Sequence, residues 1–222
     1  MKILFVGEGS NDIGRSMPVR DLRPADGVVS ALCRKLQPNI SIESVAIQWK
    51  ELSGFPKDKK KAGYVHKLRA AVEVAAMYNC AGTIAVVDED NQEDRTQRLY
   101  DARDEIMNSH PSSSPIAVGV AVKAIEAWTL ADRNALCQHL NIAVEEIEEF
   151  YKPAQVESLY QSSDKPEKRS WDILKKIVEL ANDKDCTDLR VAVATKTDIE
   201  VLKRHCPKGF KPFAEDVCSR FP

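Results

Sequence analysis

The sequence predicts an α/β fold: a mostly parallel sheet of about four strands flanked by helices, with a helical C-terminal elaboration. Three observations predict it. Apolar, β-rich runs alternate with segments of helical periodicity through the first half of the chain. Most of the joining segments are short and polar, as in strand–helix–strand units. Beyond about residue 123 the pattern turns mainly helical.

The first strand is Ile3-Leu4-Phe5-Val6, a continuous apolar run that suits a strand buried on both faces. It opens the chain as a strand and does not read as a signal peptide. Gly7-Glu8-Gly9-Ser10-Asn11-Asp12 follows with loop chemistry. A helix is expected over 25–36, stopped by Pro38-Asn39, then a strand over 41–49. Residues 62–78 carry Ala, Leu and Val at helical spacing, and Gly82 is expected to supply the closing turn. Residues 83–87 form the next buried strand, running directly into Asp88-Glu89-Asp90-Asn91. A charged helix over 93–107 and a Ser/Pro linker lead to a strand over 116–122. The later expectations are one helix over 124–140, others over 144–151 and 171–180, and a short strand over 189–194. A C-terminal helix closes the tail, and 161–170 is the candidate mobile loop. A core of residues 1–135 and a mainly helical elaboration over 136–222 describe the organisation.

Composition bounds the function. Of 222 residues, 43% are hydrophobic and 30% charged, so a normal core is available. No apolar run is long enough to cross a bilayer. The six cysteines are scattered without a CxxC pair, which suits reduced, mostly buried thiols in a cytoplasmic protein. The formal net charge of −2 argues against a free-standing protein that holds nucleic acid by charge alone. The G-x-G at Gly7 and Gly9 is no dinucleotide fingerprint, because Asp12 stands where the third glycine belongs. No P-loop and no HExxH occur. Ser10 lacks a His partner in its motif.

The chemistry-bearing residues are acidic. Parallel strands joined by right-handed crossovers bring their C-terminal ends to one edge, where ligands of open α/β sheets bind. Glu8 follows the first strand; Asp88 and Asp90 follow the third. In extended chain Asp88 and Asp90 point the same way and Glu89 the other. Carboxylates suit a hard cation, Mg²⁺ or Mn²⁺. An Asp after a strand also commonly serves as a helix cap or turn residue.

This pattern resembles the Toprim family, which groups topoisomerases, primases, RNA-maturation nucleases and overcoming-lysogenization-defect nucleases. That family carries a Glu after its first strand and a D-x-D after its third, matched here by Glu8 and Asp88/Asp90. Its nuclease branch often reads V-E-G-x-T-E; here Gly7 replaces the Val and Asn11 the Thr, while Gly9 and an acid at Asp12 remain. The run Glu126-Ala127-Trp128-Thr129-Leu130-Ala131-Asp132 is similar to an E-x-W-x-L-A-D motif of an uncharacterised bacterial Toprim-like family often found beside ATPases. The resemblance covers about the first 135 residues. It implies a metal-dependent nuclease acting on DNA or RNA, as the effector of an anti-phage defence system with an ATPase partner; homo-oligomerisation stays open. Glu8 would be metal ligand or general acid/base, Asp88 and Asp90 metal ligands, and Glu126 a further ligand. Lys123 and Lys196 are candidates to neutralise a transition-state phosphate. The basic run with Lys57, Lys59, Lys60 and Lys61, continued by Lys67 and Arg69, is a candidate phosphate contact, although a solvated loop and helix start is the commoner explanation for such a run. Asp132 suits a helix-end role and Trp128 the core. Two other readings stand beside this one. One is a non-catalytic interaction module; the other is a phosphotransfer domain with an Asp nucleophile, in which Glu8 would be dispensable.

Overall fold

The computed structural model describes residues 1–14, 26–54, 63–89, 92, 94–109, 114–159, 169–181 and 186–222. Contacts divide the chain into two compact units. One comprises Met1–Val87, Glu93–Val120 and Phe213–Pro222; the other comprises Asp88–Gln92 and Ala121–Pro212. The second therefore begins upstream of residue 135.

The first unit is built on an all-parallel sheet of β1 (Lys2–Gly7), β2 (Glu43–Gln48), β3 (Gly82–Asp88) and β4 (Ile116–Ala121), in the order β2-β1-β3-β4. β1 is central. Its Ile3 to Val6 register with Ser44 to Ile47 on one side and with Gly82 to Ala85 on the other. Its apolar side chains are wholly buried, each contributing about 1.5–3 kcal/mol relative to exposure. The chain steps from β1 outward to β2, then crosses back over β1 to β3 and on to β4. Connections of one handedness must then lie on opposite faces of the sheet. Helices α1 (Ser10–Ile13) and α2 (Val28–Leu36) pack on each other, as do α3 (Tyr64–Met77) and α4 (Arg95–Ser109). The direction reverses between β1 and β3, which makes their C-terminal ends the switch point of the sheet.

Two details correct or extend the sequence expectations here. The left-handed residue after α3 is Asn79 (φ 53°), not Gly82. Gly82 instead opens β3, where an added Cβ would lie 2.4 Å from the ring of Phe221. β4 is an edge strand, and an open edge invites pairing with other chains. Here the Val118 N–H donates to Asp216 Oδ2 (2.8 Å) on α10 (Phe210–Arg220), and the other oxygen of Asp216 accepts from the buried Arg103.

The second unit is helical. Residues 124–140, expected as one helix, form α5 (Glu126–Ala131) and α6 (Arg133–Leu140). Asp132 breaks them, because its carboxylate accepts from Ala135 N (3.1 Å) and from Asp198 N (2.8 Å). A continuous helix would forfeit the cap of α6. Residues 144–151 hold only a 3₁₀ turn, Val144–Ile147, with Glu145, Glu146, Glu148 and Glu149 exposed as a solvated face. Helices α7 (Ser170–Leu180), α8 (Cys186–Lys196) and α9 (Ile199–His205) follow. The strand expected over 189–194 is part of α8. Leu189, Arg190, Val193 and Ala194 are buried, which is a spacing of four and not of two. Trp128 is 1% exposed and meets Phe210 edge to face at 5.3 Å, so its core assignment holds. The mobile-loop candidate 161–170 lies largely outside the described residues. Among the described residues no helix is long and apolar enough to cross a membrane.

Candidate functional site

In the first unit Glu8 follows β1 directly. The glycines beside it are there for space. A Cβ on Gly7 would lie 2.5 Å from Ile13 Cγ2, and one on Gly9 2.6 Å from Asp12 Oδ2. Asp12, the terminal acid of the motif, accepts from the Gly9 N–H (3.0 Å). It closes the loop into one turn of helix and so sets where Glu8 leaves the strand. The Glu8 side chain is 32% exposed, and its Oε1 accepts from Arg95 Nη2 at 2.9 Å. Arg95 also donates through Nε to the hydroxyl of Tyr64. Burial raises the Tyr64 pKa above the ordinary phenol value while Arg95 lowers it, so the phenol stays neutral.

Aromatic rings hold this arrangement together. Trp49, which follows β2, donates its indole N–H to the carbonyl of Val86 in β3 (3.0 Å), and its backbone N–H pairs with Gly7 O (2.9 Å). Tyr64 meets Trp49 edge to face at 6.1 Å. Lys67 stands 5.8 Å over the Trp49 ring, and the Arg98 guanidinium 5.8 Å over the Tyr64 ring. Thus α3 and α4 bring Lys67 and Arg98 over the Trp49 and Tyr64 rings, and α4 brings Arg95 onto Glu8.

In the second unit Asp88 is the last residue of β3. Its Oδ1 accepts from the Ile125 N–H (3.0 Å), the residue before α5. The carboxylate thereby satisfies an otherwise orphaned helix-start donor. Glu126 opens α5 and is paired with Arg190 of α8; the two side chains are 15% and 5% exposed. Glu89 pairs with Lys123 (3.2 Å). Lys123 adopts a left-handed backbone, φ 67°, uncommon outside glycine. Lys196 ends α8 and does not follow a strand. It lines a cleft of about 320 Å³ with Asp132, Asn134, Gln138 and Asp198, to which Asp88, Lys123 and Glu126 do not contribute. Asp90, Lys57, Lys59, Lys60 and Lys61 lie outside the described residues. Among the described residues no three His, Cys, Asp or Glu groups gather closely enough to hold a metal ion.

The sequence reading missed Arg95, Tyr64 and Arg190. The first two open helices after a strand, the position from which side chains reach the sheet edge, but a lone Arg in a charged helix carries no local mark. Arg190 lay hidden in the segment taken as a strand.

The chain matches no protein-family model, no curated protein and no solved structure.

Proposed function

We propose that the protein is a divalent-metal-dependent phosphodiesterase of Toprim type that cleaves DNA or RNA. The observation that carries this reading is the reversal of the sheet between β1 and β3, with Glu8 following one strand and Asp88 ending the other. Ligands of open α/β sheets bind at such a reversal. The donor chemistry fits a hard cation, being carboxylate oxygen throughout. Glu8, Asp88 and Asp90 would hold the metal, Mg²⁺ or Mn²⁺. When bound, it would polarise the scissile phosphate and lower the charge barrier between acidic residues and an anionic strand.

The chain's own groups supply the rest. Glu8, partly exposed and aimed by the Gly7–Asp12 loop, takes or returns the proton at its carboxylate. Arg95 donates to that carboxylate and orients it. Asp88, by accepting from Ile125 N, fixes the start of α5 and with it Glu126. Arg190 meets the Glu126 charge, which makes Glu126 the weakest of the four proposed ligands. Lys123, paired with Glu89, remains a candidate for phosphate charge; nothing in the cleft around Lys196 supports the same role there. The basic run at Lys57, Lys59, Lys60 and Lys61 and an ATPase partner in a cytoplasmic anti-phage system belong to this reading through the family resemblance.

A second reading, a non-catalytic interaction module, draws on one observation: Glu8, Asp88 and Glu126 each already engage an N–H or a guanidinium of the protein. Cleavage of plasmid DNA and of structured RNA with Mg²⁺ or Mn²⁺ separates the two, assayed alone and with the product of the neighbouring gene. The nuclease reading expects cleavage that is lost in Asp88→Ala and Glu8→Gln. No cleavage under any of these conditions, or cleavage indifferent to Asp88→Ala, favours the module.

A further inference from the structure

Of Tyr64, Lys67, Arg95 and Arg98 only Arg95 enters the chemistry above, through Glu8; Tyr64 meets Arg95, Arg98 lies over the Tyr64 ring, and Lys67 over Trp49, the ring that Tyr64 meets. Tyr64 and Lys67 lie three apart on α3, and Arg95 and Arg98 three apart on α4, so each pair shares a helix face. The two helices pack on each other. Both aromatic rings are spoken for. Trp49 is 4% exposed, with Lys67 over its ring, and Tyr64 carries Arg98 over its own. Rings used as seats for cations cannot act as platforms for bases. Single-strand binders that stack bases need open rings. What this cluster offers instead is positive charge at fixed positions, with Arg98 52% exposed.

We infer that Tyr64, Lys67, Arg95 and Arg98 form a docking face for the phosphate backbone of a nucleic acid beside Glu8, read by charge and indifferent to base. Lys67 and Arg98 supply the charge that meets phosphate; the exposed contact of Arg98 with Asp94 at 3.5 Å is too weak to withhold it. Arg95 is a positioning residue, because its charge is met by Glu8 and its fork is fixed by Tyr64. The face therefore holds a strand whose scissile phosphate lies next to Glu8. The inference names the substrate contacts of the proposed site and rests on that reading.

The test is metal-free binding. In EDTA, the full chain is titrated against a fluorescein-labelled mixed-sequence DNA strand and an abasic strand of equal length, across a series of salt concentrations. Fluorescence anisotropy gives the affinity. Equal affinity for the two strands is expected. Each cation engaged contributes about −0.7 to the slope of log affinity against log salt on a single strand. Two cations give a slope of about −1.4. Lys67→Ala and Arg98→Ala should each remove about 0.7 of it. A thermal melt of each variant shows that the fold is kept; Lys67 and Arg98 are partly exposed and should leave it unchanged.

Four results would overturn the inference. They are no binding at low salt, an abasic strand bound tenfold more weakly, polyglutamate of equal length competing as well as DNA, or a Lys67→Ala/Arg98→Ala double variant with unchanged affinity and slope. Metal-dependent cleavage is scored on the same preparations. The expected binding pattern without any cleavage would support the docking face and count against the nuclease reading alone.

Discussion

The two compact units meet the same physical problem, buried charge, in different places. In the sheet unit the Arg103–Asp216 pair, each side chain 9% exposed, lies at the edge strand β4. Asp216 divides its carboxylate between Arg103 and the Val118 N–H, so it closes a sheet edge. In the helical unit Arg190–Glu126 joins α8 to the first turn of α5. Asp132 and Asp88 there accept backbone N–H groups at helix starts. Within the sheet the strands satisfy one another, so carboxylates appear at its margin, as Asp216 does, and at the loops that leave it, as Asp12 does. The helical unit uses carboxylates at the starts of α5, α6 and α9, because a helix start leaves donors that packing alone does not satisfy.

That contrast predicts a graded response to mutation. The largest effect is expected for Asp216→Ala. It removes the buried partner of Arg103, leaving the guanidinium only the half-exposed Asp104, and leaves the Val118 N–H without its Asp216 acceptor, at a cost of up to about 3–5 kcal/mol. Urea unfolding followed by circular dichroism measures it; a loss below 1 kcal/mol, on the order of an exposed pair, would remove the edge-closing role. Next comes Glu126→Ala, which takes one charged partner from Arg190 and should cost about 1.5–3 kcal/mol, with Glu126→Gln costing less. Unchanged stability together with weakened metal binding would make Glu126 a ligand first and a structural residue second.

The smallest effect perturbs no contact at all. Burial raises the thiol pKa of Cys33 and Cys80 in the sheet unit and of Cys137 and Cys206 in the helical unit, so thiolate is scarce at each. Cys218 is exposed. Timed alkylation with mass spectrometry should modify Cys218 at once and the other four only on opening. Similar rates at Cys80 and Cys218 would contradict the packing described. Different rates at Cys33 and Cys137 would rank the opening of the two units.

The same contrast explains what the sequence made legible. Strands such as Ile3–Val6 are spelled locally, since a strand buried on both faces must be apolar at every position. The loops after them were legible too, and with them Glu8 and Asp88 at strand ends. The order β2-β1-β3-β4, and hence the reversal between β1 and β3, was not, because order is set by packing between distant segments. In the helical unit the decisive contacts are nonlocal. Asp132 breaks a helix partly to accept from Asp198, sixty-six residues on. Val191-Ala192-Val193-Ala194 suits a strand or a helix alike until Leu189 and Val193 are seen buried one turn apart. Arg95 reaches Glu8 across eighty-seven residues, with nothing in its own neighbourhood to announce it.

The central proposal is that Glu8 and Asp88 serve one divalent cation. Electron paramagnetic resonance of Mn²⁺ titrated into the wild-type chain, Glu8→Gln and Asp88→Asn tests it most directly, since it needs no substrate and no partner. The account predicts one saturable site in the wild type, weakened at least tenfold in either variant, and displaced by excess Mg²⁺. Absence of a site in the wild type, or a site that survives both substitutions unchanged, would contradict it.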